Sequence, residues 1–214
     1  MPLKEYNKKR TFKQTPEPTG GKSSGSSLHF VVQKHDATRL HYDFRLEMKG
    51  VLKSWAVPKG PSLNPDDRRL AMMVEDHPYD YKDFEGIIPD GNYGAGTVIV
   101  WDEGTYETLE PMSSKKAMEK SLLDQLKSGS LKVRLFGEKL KGEFALVHIR
   151  NNNNKEDNAW LMIKHRDEYA SPADITKKAK SVISGKSIAQ MEKDKKASQW
   201  VSGKKKTAVL KAKK

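Results

Sequence analysis

The sequence predicts a mainly β protein, folded as a compact closed or nearly closed β-barrel with one or two peripheral helices. Many short segments rich in β-branched and aromatic residues alternate with closely spaced turn signals. One segment of the main domain has a convincing helical pattern. A closed barrel is favoured because it removes the exposed sheet edges that so many short strands would otherwise leave.

The strands are predicted from runs of apolar and β-branched residues bounded by turns. They cover residues 28–34, 39–47, 51–57, 70–75, 97–101, 105–107, 131–136, 143–150 and 160–165. Asp102-Glu103-Gly104 has the composition of a hairpin turn between two of these strands. The glycines of residues 91–96 fit no nucleotide-binding spacing, so we interpret that segment as a tight turn. The polar residues 151–158 form a predicted loop.

The predicted helix of the main domain runs from Lys115 to Lys127. Apolar residues recur at every fourth position, at Met118, Leu122 and Leu126, and so share one face. Serines precede the segment and can cap it, and Gly129 can end it.

Composition divides the chain into three parts. Residues 1–27 are polar and rich in proline, glycine and serine, which predicts a flexible N-terminal arm with little core potential. Residues 28–170 form the predicted barrel domain. Residues 171–214 form a lysine-rich tail, predicted to be partly helical or disordered, with a short helix expected from Ile175 to Ile188.

The charge balance points to a polyanionic partner. The 214 residues carry a net charge of +12, and 36% of them are hydrophobic. Thirteen lysines and three acidic residues lie from position 171 onward, so most of the excess positive charge belongs to the tail. Such a tail binds nucleic acid phosphates without sequence preference, or it only keeps the protein in solution. The chain has no cysteine, which excludes disulfides and thiolate zinc sites.

Hydrophobic runs are too short to cross a membrane, and the N-terminus has no apolar signal region. We therefore expect a soluble cytoplasmic protein with no membrane partner. We also expect a monomer.

Residues 39–47 alternate two kinds of side chain, which a strand places on opposite faces. One face carries the apolar residues Leu40, Tyr42, Phe44 and Leu46. The other face carries side chains that bind metals, protons or anions, namely Arg39, His41, Asp43, Arg45 and Glu47. A solvent-facing strand surface needs only polar residues, so this run of imidazole, carboxylate and guanidinium groups predicts a functional site.

His41 and Asp43 can converge on one ion because they are two residues apart on one strand face. His35, from the preceding turn, can complete a set of two histidines and one carboxylate. Such a set suits a divalent first-row metal such as Mn²⁺, Zn²⁺ or Fe²⁺ and leaves positions open for water or substrate. The alternative is that all three are surface polar residues of a half-exposed strand.

Arginine beside a metal suits a bidentate grip on phosphate, which favours Arg45 and Arg39 as phosphate ligands. Lys59, Arg68 and Arg69 would extend this anion site if their loops fold over the barrel mouth. Each of these loop cations, taken alone, is better explained as a solvated charge.

A proline-containing turn brings His77 close to Tyr81 in sequence. A histidine near phosphate can act as a general acid or as a clamp on the transition state. The tyrosine hydroxyl can hydrogen-bond a phosphoryl oxygen, or the ring can simply pack.

The chain resembles the 3′-phosphoesterase domain of bacterial DNA ligase D and its stand-alone relatives, over about residues 9 to 170. The motifs that carry this resemblance occur in the family order. They are FVVQKHDATRLHYDFRLE at 30–47, WAVPKG at 55–60, DHPYDY at 76–81, FEG at 84–86, GNYGAG at 91–96 and WLMIK at 160–164.

This resemblance implies a manganese-dependent enzyme that removes a terminal ribonucleoside, and then the 3′-phosphate left behind, from a primer end. The metal ligands that it implies are His35, His41 and Asp43. The residues that it implies for phosphate handling are Arg45, Lys59, Arg69, His77 and Tyr81.

In the arm, Arg10 and Glu17 resemble the family's contacts to the primer end, but Thr11 stands where the family pattern has aspartate. That difference bears on the ribonucleoside step and leaves the metal site untouched.

The implied partners are DNA or RNA-tipped primer-template 3′ ends, with a DNA ligase of an end-joining pathway as a further partner. Two other classes of function fit parts of the sequence. One is a non-catalytic nucleic-acid-binding β-barrel with a basic tail. The other is a cupin-like metalloenzyme acting on small molecules, which the arginines and the basic tail disfavour.

Overall fold

A computed structural model describes residues 3–10, 12, 15–21, 25–150, 158–201 and 204–205. The β-strands are β1 Leu28–Asp36, β2 Leu40–Met48, β3 Val51–Val57, β4 Arg69–Pro78, β5 Gly86–Ile88, β6 Gly96–Thr108, β7 Ser130–Gly137, β8 Lys141–His148, β9 Ala159–Lys164, β10 Ser198–Val201 and β11 Lys204–Lys205. The α-helices are α1 Lys4–Lys8, α2 Lys115–Ser128 and α3 Ile188–Glu192. Two 3₁₀ helices cover Tyr79–Asp83 and Ile175–Lys177.

Eight antiparallel strands close into a barrel, which confirms the predicted fold class. Their order around the barrel is β1, β2, β3, β4, β9, β8, β7 and β6, and β6 pairs again with β1. The pairing of β1 with β6 shifts register between Val32 and Gln33, where Trp101 of β6 is the extra residue. A bulge of this kind bends its strand and increases the local twist, which helps a short sheet to close on itself.

The barrel interior is filled by apolar side chains from all eight strands. The largest fully buried side chains of this core are Trp55, Trp101, Tyr106, Phe30 and Phe44, joined by Phe144 from the opposite wall. Inward residues alternate with outward ones along each strand, so every strand contributes to one core. This core fixes the barrel wall whose outer face carries the site described below.

Helix α2 confirms the predicted helix. The Ser114 hydroxyl accepts a hydrogen bond from the backbone N–H of Ala117, which caps the first turn. Gly129 ends the helix in the left-handed region at φ 83°. Leu122 is fully buried against the barrel core.

The predicted hairpin turn at residues 102–104 is wrong, because β6 runs through it without interruption. The Asp102 carboxylate accepts hydrogen bonds of 2.8–3.0 Å from the backbone N–H groups of Glu138, Lys139 and Leu140, in the turn between β7 and β8. Gly104 permits a close strand crossing, since a Cβ there would lie 2.2 Å from the Phe136 carbonyl oxygen. The turn-like composition therefore reflects tertiary contacts of a continuous strand.

The predicted apolar face of β2 holds for Tyr42, Phe44 and Leu46, which are buried, but not for Leu40, which is 46% exposed. Leu40 pairs with Asp36 at the last position of β1, beyond the reach of the interior core. The opposite face is also buried at Asp43, Arg45 and Glu47. Strand β2 is therefore covered on both sides.

A second apolar cluster covers the outer face of the barrel wall. It combines Leu52, Val98, Ile88 and aromatic residues of the 3₁₀ helix with Tyr6 of α1. Tyr6 is fully buried, and its hydroxyl donates a 2.6 Å hydrogen bond to the Pro18 carbonyl. The expectation that the arm has little core potential is therefore wrong at Tyr6.

The predicted tail helix from Ile175 to Ile188 is wrong. The segment instead wraps around the barrel, with one 3₁₀ turn and a tight turn in which Gly185 has φ +69°. The Ser181 N–H donates to the Lys186 carbonyl across that tight turn. Farther along, β10 pairs in parallel with β5. Docking on the barrel satisfies these backbone groups, so a helix is not needed.

The described residues contain no helix that is long and apolar enough to cross a membrane. Residues 151–157, most of the predicted polar loop, lie outside the described part of the chain, as do residues 206–214.

Replacing Asp102 tests the role assigned to its carboxylate. Asp102→Ala leaves three backbone N–H groups of the β7–β8 turn without their acceptor, so we expect the free energy of unfolding to fall by about 2–3 kcal/mol. Urea denaturation followed by circular dichroism measures this. Asp124→Ala, on the exposed face of α2, is the control and should change stability by less than about 0.5 kcal/mol. Equal effects of the two substitutions would contradict the assignment.

Candidate metal and phosphate site

A polar cavity lies on the outer face of the barrel wall. Its volume is about 200 Å³, and the metal-binding and phosphate-binding candidates on β1 and β2 line it. The cavity is covered by the N-terminal arm and the first 3₁₀ helix. The residues predicted from the sequence that line it are Arg10, Glu17, His35, His41, Asp43, Arg45, His77 and Tyr81.

His35, His41 and Asp43 form a cluster with the geometry of a metal site. One ligand atom from each residue lies within 4.8 Å of the others. His35 Nδ1 is 3.6 Å from Asp43 Oδ2, and His41 Nε2 is 3.6 Å from Asp43 Oδ1. Ligand atoms that share one first-row ion at about 2.1 Å are separated by roughly 3–4 Å. The three residues therefore fit a divalent metal with little rearrangement.

Two backbone carbonyls fix which nitrogen of each histidine is free. A carbonyl only accepts, so His35 Nε2 donates to the Gly94 carbonyl at 2.9 Å and His41 Nδ1 donates to the Arg39 carbonyl at 2.8 Å. This leaves the lone pairs of His35 Nδ1 and His41 Nε2 directed towards Asp43. Outer partners of this kind orient the histidines of metal sites.

Arg45 connects the metal cluster to the rest of the cavity. Its Nη2 donates to Asp43 Oδ2 at 3.1 Å, and its Nε donates to Gln33 Oε1 at 2.8 Å. Its Nη1 is buried and has no hydrogen-bond partner among the described residues. A buried cationic donor without an acceptor is costly, so this atom is a strong candidate for a phosphoryl oxygen.

Asp43 is ionised in this setting. Burial raises the pKa of its carboxyl group, but the opposing effects, the positive charge of Arg45 first among them, hold the pKa well below its usual range. A carboxylate that stays charged at neutral pH is what a metal ligand requires.

His77 is neutral and accepts a hydrogen bond in the cavity. Its Nδ1 donates to the Glu75 carbonyl at 2.9 Å, and its Nε2 accepts from Arg10 Nη2 at 3.1 Å. Burial, reinforced by Arg45 and Arg10, holds the pKa of His77 well below the ordinary histidine value. Because its one N–H group is hydrogen-bonded to a backbone carbonyl, the imidazole is better suited to position Arg10 than to donate a proton to the substrate.

The arm brings a carboxylate and a guanidinium into the cavity. Arg10 Nε donates to Glu17 Oε1 at 2.8 Å, and the Tyr81 hydroxyl donates to the same oxygen at 3.1 Å. Burial and the nearby Glu17 raise the pKa of Tyr81 well above its usual value, so the hydroxyl keeps its proton. Glu17 Oε2 is buried without a partner among the described residues. The cavity thus holds one unused acceptor as well as one unused donor.

Lys59 and Arg69 do not line this cavity. Lys59 is exposed in the turn after β3, and Arg69 Nη2 is paired with Asp67 at 2.9 Å. Arg68 is exposed and donates to the Pro65 carbonyl. All three belong to the end of the barrel where β2 begins, so their role in phosphate handling stays a prediction.

Sequence reasoning missed three residues that organise the site. Gln33 holds Arg45 and also donates to the Tyr81 and Phe84 carbonyls at 2.9 and 3.0 Å. Glu75 accepts from Arg10 at 3.0 Å. The signal for Gln33 was a single polar residue at the end of an apolar run. The signal for Glu75 was its position two residues before His77, on the same face of one strand. Gly94 acts through its carbonyl, which leaves no side-chain signal.

Comparison with known proteins agrees with this geometry. The family model described as the DNA ligase D 3′-phosphoesterase domain matches residues 33–148, which is more than half of the chain. The matched region contains the metal cluster, Arg45, His77 and Tyr81. The chain belongs to the DNA ligase D 3′-phosphoesterase domain family.

Three similar relatives are long proteins that carry a matching segment. The "Multifunctional non-homologous end joining protein LigD" of Pseudomonas aeruginosa is 48% identical over 194 residues, covering 87% of this chain and 22% of the relative. The corresponding protein of Mycolicibacterium smegmatis is 39% identical, covering 92% and 24%. The "Multifunctional non-homologous end joining DNA repair protein LigD" of Mycobacterium tuberculosis is 44% identical, covering 74% and 19%. The phosphoesterase-family chain thus spans a quarter or less of these relatives.

Nuclear magnetic resonance of the ring nitrogens tests the state of His77. We expect His77 to stay neutral well below the ordinary value of 6.5, while the unfolded chain takes up a proton there. Its contribution to the free energy of unfolding should therefore fall as the pH drops below that value. Arg10→Gln, which removes one neighbouring cation, should raise the pKa of His77. Protonation of His77 near 6.5 in the folded wild type would contradict this.

Proposed function

We propose that this chain is a manganese-dependent 3′-phosphoesterase that heals the 3′ ends of nucleic acids. It removes a 3′-terminal ribonucleoside as a phosphodiesterase and then removes the remaining 3′-phosphate as a phosphomonoesterase. The observation that supports this most directly is that His35, His41 and Asp43 cluster in the same cavity as Arg45 Nη1, which has no hydrogen-bond partner among the described residues. Family membership supports phosphoester hydrolysis at this cavity.

The residues of the cluster fit Mn²⁺ because two imidazole nitrogens and one ionised carboxylate oxygen are donors that such an ion accepts. When bound, the ion neutralises charge on phosphoryl oxygens and lowers the pKa of a coordinated water. Zn²⁺ and Fe²⁺ accept the same imidazole and carboxylate ligands, so the ligands alone do not select manganese. Manganese is proposed because of the family resemblance. Metal substitution can test that choice.

The remaining side chains bind and orient the phosphate. Arg45 donates from Nη1 to a phosphoryl oxygen while Nη2 stays on Asp43, which keeps the guanidinium beside the metal ligands. His77 holds Arg10 through Nε2 and so sets the direction of that guanidinium. Lys59 and Arg69, which lie outside the cavity lining, are proposed to contact the substrate phosphate from the end of the barrel.

The arm is proposed to recognise the primer end. Glu17 Oε2 is a buried acceptor, which suits a ribose hydroxyl, and Arg10 keeps the Glu17 carboxylate in place. Thr11, which departs from the family pattern, lies outside the described residues. Residues 1–27 are thus proposed to act as part of the site, residues 28–170 as the phosphoesterase domain, and residues 171–214 as an accessory segment.

DNA repair by end joining is the proposed setting, since the printed names of the relatives describe that process. We propose DNA or RNA-tipped primer-template ends as the substrate and a DNA ligase of that pathway as a partner. We also propose that the chain acts in the cytoplasm as a monomer. The second candidate function, a non-catalytic nucleic-acid-binding barrel, accounts for the basic tail but not for the converging metal ligands.

Release of 3′-phosphate from a labelled primer-template tests the proposed function. We expect release with Mn²⁺ and none with a chelator. His41→Ala and Asp43→Ala should each lower the rate roughly a hundredfold or more, because each removes a metal ligand. Release that persists in chelator, or that survives both substitutions, would refute the metal-site assignment.

The matched control for this assay is His165→Ala. His165 lies after β9 and faces Glu143, far from the cavity lining, so its loss should leave the rate unchanged. Circular dichroism of every variant separates loss of the site from loss of the fold. A non-catalytic barrel would show no release with the wild-type chain under any metal.

Glu17→Gln tests the arm. The amide keeps the size of the side chain but loses the carboxylate charge that Arg10 and Tyr81 hold. We expect removal of a terminal ribonucleoside to slow by about tenfold or more, equivalent to about 1.4 kcal/mol of lost transition-state stabilisation. Comparing primers that end in ribose and deoxyribose measures this. An equal rate for wild type and variant on the ribose-ended primer would exclude the proposed role.

A further inference from the structure

We propose that residues 174–180, called here the plug segment, form a second nucleic-acid contact that holds the phosphate backbone behind the 3′ end. The inference rests on the proposed function for the substrate class. It assigns a binding role to a part of the chain that lies outside the cavity and beyond the matched family region.

Ile175 anchors the plug segment in the barrel. It is 6% exposed and belongs to the same apolar cluster as Tyr42 and Trp101 of the barrel interior. The Trp101 Nε1 donates a 2.7 Å hydrogen bond to the Lys178 carbonyl. The plug segment therefore has a defined position, which an unattached lysine-rich tail would not have.

The anchor places two exposed lysines beside a third from a distant part of the chain. Lys177 and Lys178 are exposed and directly follow Thr176. Thr176 packs against Gly60 so closely that a Cβ on Gly60 would lie 2.9 Å from the threonine Cγ2. Lys59, the residue before Gly60, is also exposed. The barrel end thus presents a lysine group made of Lys59, Lys177 and Lys178.

This lysine group lies at the end of the barrel where β2 begins. Gly60 lies against the ring of Tyr42, which faces the barrel interior, and the neighbouring His41 and Asp43 are on the outer face of the same end of β2. His41 is at the open side of the cavity, with 23% of its side chain exposed. Exposed Arg39 comes just before β2 and holds His41 through its carbonyl. Arg39 and the lysine group therefore place exposed cations around the start of β2, the end of the strand that carries His41.

The ligand that fits this arrangement is a phosphodiester backbone. Its charges recur along the chain, about one per 1.7 Å of axis in duplex DNA, so a strand with its end in the cavity presents further phosphates outside it. The nearest acid within the plug segment is Asp174, whose Oδ1 accepts from the Thr176 N–H at 3.0 Å and from its hydroxyl at 2.6 Å. That carboxylate is hydrogen-bonded within the local turn. The three lysines outnumber it, so the net charge of the lysine group and Asp174 together stays positive.

Binding of the full chain to DNA, measured without metal by fluorescence anisotropy over a range of salt, tests the inference. The test variant is Lys177→Ala/Lys178→Ala. We expect its dissociation constant at low salt to rise about tenfold and the slope of log affinity against log salt to become shallower by about 2. Lys177→Arg/Lys178→Arg keeps both charges and should bind like the wild type.

The matched control is Lys116→Ala/Lys120→Ala, which removes the same charge from exposed positions of α2. It should keep the wild-type salt slope. Wild-type slope and affinity in the Lys177/Lys178 variant would overturn the inference, as would an equal loss in the α2 control. A primer-template and a single strand are tested separately. If the Lys177/Lys178 variant loses affinity for both DNAs, the lysines contact the primer strand. If it loses affinity for the primer-template alone, they contact the duplex.

The 3′-phosphate assay separates this inference from the proposed function. At limiting substrate the Lys177/Lys178 variant should release phosphate about tenfold more slowly than the wild type, in step with its weaker DNA binding, and the Lys116/Lys120 control should release it at the wild-type rate. If the wild type binds DNA through these lysines but releases no phosphate, the proposed function fails and the binding surface stands. If the wild type releases phosphate and the variant binds DNA normally, the binding surface alone fails.

Discussion

The buried ion pair between Arg45 and Asp43 is the interaction on which the site depends. Asp43 faces both candidate metal-binding histidines, and Arg45 reaches through Gln33 to the backbone of the first 3₁₀ helix. Burying two charges is costly unless each has good partners. Here Arg45 and Asp43 pair with each other and Gln33 accepts from Arg45, so one ion pair joins the candidate metal ligands to the cover of the cavity.

The cover matters because the site lies outside the barrel and would otherwise be open to water. Tyr6 and the aromatic residues of the first 3₁₀ helix bury this outer face in a second apolar cluster. Removal of water lowers the pKa of His77 and raises the pKa of Tyr81, which fixes one as an acceptor and the other as a donor. The arm therefore contributes to the protonation states of the site as well as to its shape.

Local pattern was sufficient where one segment carries the information. The alternation along β2 predicted that His41 and Asp43 share one face, and the four-residue apolar spacing predicted α2. The same reasoning failed at residues 102–104, where a turn-like composition serves a carboxylate that caps another turn. It failed again from Ile175 onward, where Ile175 packs into the barrel core but Ile183 is 40% exposed, so the apolar residues do not form one helical face.

The sequence by itself determined the strand periods and the shared face of His41 and Asp43, because side-chain alternation is a property of neighbouring residues. Only the tertiary structure decided that this face lies on the outer wall, and that both faces of β2 are buried. It also decided which histidine nitrogens are free and where Lys177 and Lys178 stand. These features depend on contacts between residues far apart in the chain, and no local period encodes such contacts.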